Sequence, residues 1–512
     1  MTATLRVAIR ADAAPRIGLG HFVRCLTLAD RLTRAGAQVR FICREVSEGL
    51  ASDVRHRGHE LVVLPPCSYN SGRGAASDPP HAAWLNCDWE QDALATRAAL
   101  GAASWDWMVV DHYALDARWE SKVHEGAERI LVIDDLADRT HECDVLLDQN
   151  LQASPAQRYA NRVAQQCRLL LGPRFALLRP EFATARSRCV PRERLRNILV
   201  FFGGADRHNL TQIAIEAFAL RRWPNVSMTV VAGSLNPRWE ELQRRCATLP
   251  NLTFYRETDA MAELMIAADL AIGAAGTTSW ERCCLGLPAI VVSIADNQRE
   301  VARELARARV ALQLDQQQFT AARLAELLDR FHHQPQVLHW MSRRAARLVD
   351  GRGADRVGIA MLDRTVFVRA ATLEDAPMAW RWRNSAEVRR VSFDTSEIPL
   401  PSHLAWWRET LQSAERRLLV GEVDGTPLGI VRFDLLAGAA RLSIYLDPEL
   451  TGVGIGPQLL TAACRWLFGV QPDITRIEAQ VRAENRASRR AFARAGFREE
   501  HSGFVLEQER PS

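Results

Sequence analysis

Apolar runs rich in β-branched residues alternate with amphipathic segments from residue 5 to about residue 180. The runs predict buried strands, and the segments between several of them carry apolar residues at helical spacing. Strands are predicted at LRVAIRAD, QVRFICR, HELVVLP, WMVVDHY, RILVIDDL and CDVLLDQ, and helices at QDALATRAALG and ARWESKVHEGA. Because strands and helices alternate, we expect a parallel sheet with helices on both of its faces.

The same pattern starts again after an arginine-rich, proline-containing crossover, ATARSRCVPRERLR. Strands are predicted at NILVFFGG, VSMTVVAG and DLAIGAAG, and helices at NLTQIAIEAFAL and MAELMIAA. Helical material from Ala321 to about Asp363 closes this part, with DGRGADR as its late turn. We therefore expect two Rossmann-like lobes, residues 1–185 and 186–365.

The pattern changes near Thr365. A predicted strand and a tryptophan-rich helix (TVFVRAATLEDAPMAWRWRN) precede an Asp-Gly pair between apolar runs, which predicts a hairpin (LLVGEVDGTPLGIVRFD). A further strand leads through a glycine-rich turn into an amphipathic helix (RLSIYLDPELTGVGIGPQLLTAACRWLF). Residues 366–512 are therefore expected to form a third domain, and the fold class of the chain is α/β.

Composition excludes several classes of function. The 65 basic and 61 acidic residues give a net charge of only +4 without a dense basic block, so no nucleic-acid partner is expected. The chain has no apolar run of about 20 residues and no signal-peptide pattern, which predicts a cytoplasmic protein without a membrane partner. Its 11 cysteines lack metal-ligand spacing and are expected to be reduced and buried, with helix packing explaining adjacent Cys283 and Cys284. No metal is expected.

A single histidine, His21, follows the turn made by Gly18 and Gly20 and opens an amphipathic helix. Backbone N–H groups and the helix dipole favour phosphate there and disfavour a protonated imidazole, so His21 is a candidate base. Asp12, at the end of the preceding strand, is expected to orient it. Val23 breaks the dinucleotide-binding fingerprint. The alternative is a tight turn in which His21 is exposed or caps the helix.

Two glycine-rich turns in the second lobe are candidates for nucleotide binding. Small residues let a phosphate approach the backbone, and side-chain hydroxyls can donate hydrogen bonds to the phosphate oxygens. A carboxylate one turn further can accept hydrogen bonds from the ribose hydroxyls. Alternatively, the hydroxyl residues only cap their helix. The candidates are Gly203, Gly204, Asn209, Gly276, Thr277, Thr278, Ser279 and Glu281.

Further cleft residues are expected at strand ends, where ligands bind in open α/β sheets. These side chains either contact a sugar or have a structural role. The candidates at strand ends are Asp111, His112, Tyr113, Asn297 and Gln298, and Arg24, from the helix that His21 opens, is a further candidate for substrate binding.

The first 360 residues or so resemble the GT-B architecture, and GTTSWERCCLGLPAIVV resembles the donor-binding segment of the peptidoglycan lipid GlcNAc transferases. Together with RADAAPRIGLGHFVRCLTLA, VVDHYALDARWE and FGGADRHNLT, this segment resembles the PseG-type UDP-sugar hydrolases of pseudaminic acid biosynthesis. The resemblance implies hydrolysis of UDP-2,4-diacetamido-2,4,6-trideoxy-β-L-altropyranose. It also implies that His21 activates water and that Glu281 belongs to the UDP site.

The glycine-rich turn of the third domain, followed by IEAQVRAENRASRRAFARAGF, resembles the GNAT acetyltransferases. That resemblance implies an α+β fold with a mixed sheet and acetyl-CoA as co-substrate, whose pyrophosphate meets backbone N–H groups. The implied cofactor-binding residues are Thr451, Gly452, Val453, Gly454, Ile455, Gly456 and Asn485.

Two positions depart from the GNAT pattern. Thr451 stands where Arg or Gln is usual, and Phe492 where many members have the tyrosine that protonates the leaving thiolate. Tyr445 is the substitute acid and Glu478 a candidate proton relay, although strand packing explains Tyr445 equally well. Four tryptophans either wall the substrate pocket or belong to the core, namely Trp380, Trp382, Trp406 and Trp407.

The fusion points to a bifunctional enzyme in which a PseH-like domain acetylates the C4 amine of a UDP-aminosugar and the first two lobes then remove UDP. Tethering would raise the local concentration of the intermediate, and weak association with neighbouring pathway enzymes is also expected. Two alternatives remain. One is a GT-B glycosyltransferase with an appended acetyltransferase, and the other is a nucleotide-sugar sensor joined to a protein N-acetyltransferase.

Overall fold

The computed structural model describes residues 4–14, 17–67, 78–221, 223, 225–233, 235–361, 366–423, 425–500 and 503–508. The chain divides into two compact units, residues 1–358 and 359–512. Across the described ranges, every helix is either too short or too polar to cross a bilayer. The expected domain boundary at residues 365 and 366 falls at the edge of residues 362–365, which lie outside the described residues.

The first sheet is built from seven parallel strands in the order β3-β2-β1-β4-β5-β6-β7. The strands are β1 (Arg6–Ala11), β2 (Gln38–Cys43), β3 (Glu60–Val63), β4 (Trp105–Asp111), β5 (Ala127–Ile133), β6 (Val145–Asp148) and β7 (Arg168–Leu171). The helices are α1 (Gly20–Arg34), α2 (Glu48–His56), α3 (Trp89–Leu100), α4 (Ala117–Val123), α5 (Pro155–Arg158) and α6 (Pro180–Arg186).

The second sheet has six parallel strands in the order β10-β9-β8-β11-β12-β13. They are β8 (Asn197–Phe201), β9 (Ser227–Val231), β10 (Leu252–Tyr255), β11 (Leu270–Ala274), β12 (Ala289–Val292) and β13 (Ala311–Leu314). The helices are α7 (Leu210–Ala219), α8 (Trp239–Ala247), α9 (Met261–Ala267), α10 (Thr278–Cys284), α11 (Asn297–Arg307), α12 (Ala321–His333), α13 (Pro335–Leu348) and α14 (Gly353–Met361). The two predicted Rossmann-type sheets are thus confirmed.

The two lobes of the first unit are joined where the chain returns to the first lobe through α14. Arg31 of α1 forms an ion pair of 2.5 Å with Asp355. Gly353 lies so close to the first lobe that a Cβ atom there would be 2.1 Å from the carbonyl oxygen of Ala176. The predicted late turn is therefore shorter than expected, because helix α14 already begins at Gly353.

The second unit contains one mixed sheet, as expected. Its strand order is β14-β15-β16-β17-β18-β20-β19. Only β17 and β18 pair in parallel, and the other neighbours are antiparallel. The strands are β14 (Phe367–Ala370), β15 (Arg416–Val423), β16 (Thr426–Leu436), β17 (Ala439–Leu446), β18 (Arg476–Ala479), β19 (Arg498–Glu500) and β20 (Gly503–Glu507). The helices are α15 (Ala376–Arg383), α16 (Ala386–Val391), α17 (Leu400–Gln412), α18 (Ile455–Val470) and α19 (Arg486–Arg494). The predicted hairpin joins β15 to β16, and its Asp424 lies outside the described residues.

One expectation about the cysteines is wrong. Cys67 and Cys87 form a disulfide, with their Cα atoms 5.3 Å apart. The two residues meet only after the chain has folded back between β3 and α3, so their spacing of 20 residues carried no recognisable pattern. Cys283 and Cys284 are buried in α10, as helix packing predicted.

Candidate functional site

His21 lies on the first turn of α1 and pairs with a carboxylate at the end of β4. Its Nδ1 is 2.7 Å from Oδ1 of Asp111, which is buried. Arg24, one turn along the same helix, donates from Nε to the other oxygen of Asp111 at 2.7 Å. The sequence thus placed His21 correctly on a helix start but assigned it the wrong partner.

Asp12 does not orient His21, because the register of the sheet separates them. Ala11, not Asp12, is the residue of β1 that pairs with Asp111, and successive side chains of an extended chain point to opposite faces. Asp12 instead accepts hydrogen bonds from the Arg10 guanidinium and the backbone N–H of Arg44, each at 2.7 Å. Its role is therefore structural.

The contact with Asp111 fixes the tautomer of His21. Burial works to raise the pKa of Asp111, but the charges of Arg24 and His21 outweigh it and hold that pKa well below its usual range. An ionised carboxylate only accepts hydrogen bonds, so Nδ1 of His21 carries the hydrogen. In the neutral ring Nε2 then keeps its lone pair, which is the arrangement of a histidine base oriented by an aspartate.

Tyr113 joins the histidine to the second lobe. Its ring packs edge-on against His21, with centroids 4.6 Å apart, and its hydroxyl donates to Asp135 at 2.5 Å. Nδ2 of Asn297, at the start of α11, is 3.5 Å from the Tyr113 hydroxyl oxygen. Both predicted residues thus meet in the cleft between the lobes, whereas Asp135 was not predicted.

His112, by contrast, is buried away from His21. Its Nδ1 accepts from the N–H of Ala114 at 3.2 Å, and its Nε2 lies 3.4 Å from Asp12. A contact with sugar is therefore not supported for His112. Two other residues missed by the sequence line the Tyr113 ring, since His81 and Trp84 have centroids 5.5 and 5.7 Å from it. Both residues are far from His21 along the chain and belong to no recognisable motif, so the sequence did not indicate that they lie near it.

The Gly276–Thr278 segment of the second lobe faces the start of α1. Gly20 lies so close to Thr277 that a Cβ atom on it would be 3.2 Å from the threonine hydroxyl. Gln298 contributes to the same corner, because its Oε1 accepts from the N–H of Ile294 while its Nε2 lies beside Gly276. The glycines and threonines predicted from the two lobes are therefore neighbours.

Ser279 was predicted to contact phosphate, but its side chain faces the interior of the lobe. It is buried, and its hydroxyl accepts from Arg282 at 2.8 Å, because residues three apart on a helix share one face and this face points into the lobe. Glu281 remains at the cleft, with Arg179 3.7 Å away. Burial raises the pKa of Glu281.

The Gly203–Gly204 turn packs against a third glycine that the sequence analysis missed. A Cβ atom on Gly233 would lie 2.4 Å from the carbonyl oxygen of Gly203, and its φ of +91° also favours glycine. Asn209 adopts a φ of +54° before α7, but the cap is provided by Asp206, which accepts from two backbone N–H groups of the helix.

In the second unit, the glycine-rich turn follows β17 at the point where two parallel strands part. The register joins β17 to β18 only as far as Leu442 and Ala479, although β17 continues to Leu446. Gly452 and Gly454 have φ values of +84° and +79°, and Gly454 directly precedes α18. The turn therefore presents backbone at a helix start, as a phosphate requires.

The remaining residues of this turn anchor it. Val453 and Ile455 are buried, and the Thr451 hydroxyl donates to the carbonyl of Pro448 at 3.0 Å. Their backbone rather than their side chains is thus available to a ligand. Asn485 accepts from the N–H of Ser488 at 3.1 Å and so fixes the start of α19.

Phe492 has no ionisable group, and its ring is buried against Phe497 and Phe504 as part of an aromatic cluster. Tyr445 lies on β17, where burial raises its pKa above the ordinary range of tyrosine. Glu478 does not fit the predicted role of a proton relay. It shares a face of β18 with Arg476, whose Nε donates to Oε1 of Glu478 at 2.8 Å. Glu478 is also in register with Arg441 of β17. Arg441 lies four residues before Tyr445, so Glu478 is displaced from Tyr445 by roughly 13 Å along the strand.

The tryptophans divide between core and periphery. Trp407 is fully buried and donates to the carbonyl of Thr372, so it belongs to the core. Trp382 and Trp406 are half-buried against the same cluster, which Tyr445 also joins. Trp380 donates to the carbonyl of Ile398 at 2.7 Å.

Two domain families match this chain. Residues 198–357 match the glycosyltransferase family 28 C-terminal domain, and residues 365–498 match the acetyltransferase (GNAT) domain. The described residues contain no group of three or more His, Cys, Asp or Glu side chains that could hold a metal ion.

Known proteins are similar to the whole chain and to its first part. The uncharacterized protein MJ1062 of Methanocaldococcus jannaschii is 20% identical over 98% of both chains. The spore coat polysaccharide biosynthesis protein SpsG of Bacillus subtilis is 25% identical over 60% of this chain and 84% of its own length. The crystal structure of Acinetobacter baumannii MurG covers 70% of this chain and 98% of its own, with a TM-score of 0.52 and 17% identity. That likeness identifies the fold of the first unit as GT-B. The chain is therefore a fusion of a GT-B unit, carrying a glycosyltransferase family 28 C-terminal-like domain, with a GNAT acetyltransferase domain.

Proposed function

We propose that the first unit hydrolyses a UDP-sugar, UDP-2,4-diacetamido-2,4,6-trideoxy-β-L-altropyranose, to UDP and the free sugar. The observation that carries this proposal is the His21–Asp111 pair, because it supplies a base of fixed tautomer beside the glycine-rich turns of the other lobe. The match to glycosyltransferase family 28 supports a nucleotide sugar as the substrate.

The reaction begins with proton transfer from water to Nε2 of His21. The water oxygen bonds to the anomeric carbon as the bond from that carbon to the UDP oxygen breaks, and the electron pair of that bond leaves with UDP. Asp111 stabilises the imidazolium that forms. Backbone N–H groups and hydroxyls of the Gly276–Thr278 segment stabilise the departing diphosphate. The Glu281 carboxylate accepts hydrogen bonds from the ribose hydroxyls.

The second unit transfers an acetyl group from acetyl-CoA to the C4 amine of a UDP-aminosugar, which produces the substrate of the first unit. The turn from Gly452 to Gly456 binds the pyrophosphate of acetyl-CoA through its N–H groups. The amine nitrogen bonds to the thioester carbonyl carbon as the C–S bond breaks, and Tyr445 protonates the thiolate that leaves. The proton that the nitrogen loses passes to solvent water, from which Tyr445 regains one. A tyrosine hydroxyl is protonated at neutral pH, as an acid must be, and burial raises the pKa of Tyr445 further.

The first test is UDP release from the 2,4-diacetamido sugar nucleotide without any acceptor present. We expect release by the wild type and a loss of at least about 100-fold in His21→Ala. His59→Ala is a matched control, because His59 also pairs with an aspartate, Asp30, at 2.9 Å but outside the cleft. No release by a wild type that binds the nucleotide would overturn hydrolysis.

A second candidate is glycosyl transfer to an alcohol, and the match to a glycosyltransferase family favours it. The same His21 would then deprotonate a hydroxyl of the acceptor instead of water. UDP release that depends on an added acceptor distinguishes this reaction from hydrolysis.

A further inference from the structure

A pocket of about 430 Å³ lies in the second unit between α16 and the segment that joins β18 to α19. Its lining contains three arginines, one carboxylate and one amide, together with two aliphatic side chains, of which Ala487 is the smaller. The others are Arg390, Arg482, Arg486, Glu484, Asn485 and Val391. The pocket is therefore strongly basic for its size.

Arg482 connects the two walls of the pocket. Its Nη1 donates to the carbonyl of Ser392, just beyond α16, at 3.0 Å, and its Nε lies 3.5 Å from Glu484. Arg390 and Arg486 are exposed, and within the described residues neither forms an ion pair. One guanidinium thus holds the pocket together, and two more are available to a ligand.

The pocket lies on the side of the sheet where acetyl transfer is expected. The carboxyl ends of the parallel strands β17 and β18 share one edge. The glycine-rich turn follows β17 there, and Arg482 and Arg486 follow β18. An acceptor in the pocket would therefore approach the same gap between strands as the acetyl group.

The charge of the lining selects among acceptors. A polyamine or another cationic acceptor would meet two arginines without neutralising partners, which is repulsive. A diphosphate offers several oxygens to guanidinium groups, whose planar fork matches phosphate geometry. The amide of Asn485 and the methyl groups of Val391 complete a surface that accepts a polar, anionic ligand.

We infer that this pocket binds the diphosphate of the acetyl acceptor, so that Arg390 and Arg486 select a nucleotide-linked amino sugar over the free amino sugar. The inference rests on the proposed acetyl transfer and adds the group by which its acceptor is recognised. Coenzyme A also carries phosphates, and the experiment must separate the two sources.

The test measures acetyl transfer by the full chain to the UDP-linked 4-amino sugar and to the same sugar without its nucleotide. We expect the wild type to prefer the UDP-linked sugar, and Arg390→Ala and Arg486→Ala each to raise its KM roughly tenfold. The KM for acetyl-CoA should stay unchanged. Arg490→Ala, an exposed arginine of α19 outside the pocket, is the matched control.

Each other outcome is decisive. A rise in the KM for acetyl-CoA instead would assign the pocket to coenzyme A and overturn the inference. Equal use of both sugars, with no effect of either variant, would overturn the inference while leaving the proposed acetyl transfer intact. Transfer to neither sugar would overturn the proposed acetyl transfer itself and the inference with it.

Discussion

Nδ1 of His21 and Oδ1 of Asp111 are 2.7 Å apart, although 90 residues separate them along the chain. This pair joins the first turn of α1 to the end of β4 in the first lobe. It decides which ring nitrogen carries the hydrogen when His21 is neutral, so the tautomer is a property of the fold.

Asp111→Asn is expected to reduce UDP release by at least about 100-fold, because an amide can donate to Nδ1 and so place the hydrogen of the neutral ring on Nε2. UDP affinity should change little, since the proposed nucleotide site is in the other lobe. Steady-state hydrolysis and calorimetric titration with UDP measure the two effects. Because Arg24 loses one of its two charge partners and keeps only Asp135, 3.3 Å away, circular dichroism must accompany both measurements. A folded variant with wild-type turnover would contradict the assigned role.

Gly233→Ala is expected to weaken UDP binding, because the new methyl group must displace the carbonyl of Gly203. Gly101→Ala is the matched control, since Gly101 also has a positive φ, of +76°, but open space around it. The control should lose about 1–3 kcal/mol of stability from backbone strain and keep its affinity. Equal UDP dissociation constants in the two variants would show that the turn is not part of the nucleotide site.

Phe492→Tyr is expected to lower the melting temperature without increasing acetyl transfer. The added hydroxyl would enter a cluster of aromatic rings, where an unsatisfied polar group costs about 1–3 kcal/mol. Tyr445→Phe should show the reverse, with near-normal stability and a lower kcat for acetyl transfer. A more active Phe492→Tyr enzyme would assign the acid to α19 instead.

The stability of the first unit is expected to fall at alkaline pH because of His141. Burial lowers its pKa, but Glu120, 2.7 Å away, and Asp134 outweigh this and raise the pKa to about 9. The unfolded value is about 6.5, so the stabilisation is complete below pH 6.5 and is lost as pH rises through 9. Melting temperatures between pH 6.5 and 9.5 should therefore fall less steeply in His141→Asn than in the wild type. Parallel slopes would refute this.

The sequence predicted those features that depend on local periodicity. Long apolar runs such as NILVFFGG marked the central strands, and glycines before amphipathic helices marked both candidate phosphate sites. The four-residue strands β7, β10 and β13 were missed. The equally short strands β3 and β6 were predicted from the apolar runs HELVVLP and CDVLLDQ.

Features that depend on contacts between distant residues could not be predicted. Asp12 and Asp111 both end strands next to His21, and only a one-residue difference in register decides which carboxylate faces it. Ser279 and Glu478 have suitable side chains, but each shares a face with an arginine that binds it. Gly233 is required only because another turn packs against it.

The unequal lengths of β17 and β18 give the second unit a place for an extended molecule. Beyond Leu442, β17 continues for four residues while its parallel neighbour has already ended. A ligand arm that carries amide groups can lie in that gap and hydrogen-bond to the backbone as a further strand. Its orientation would then be set by main-chain geometry, which is the same for any side chains along this edge.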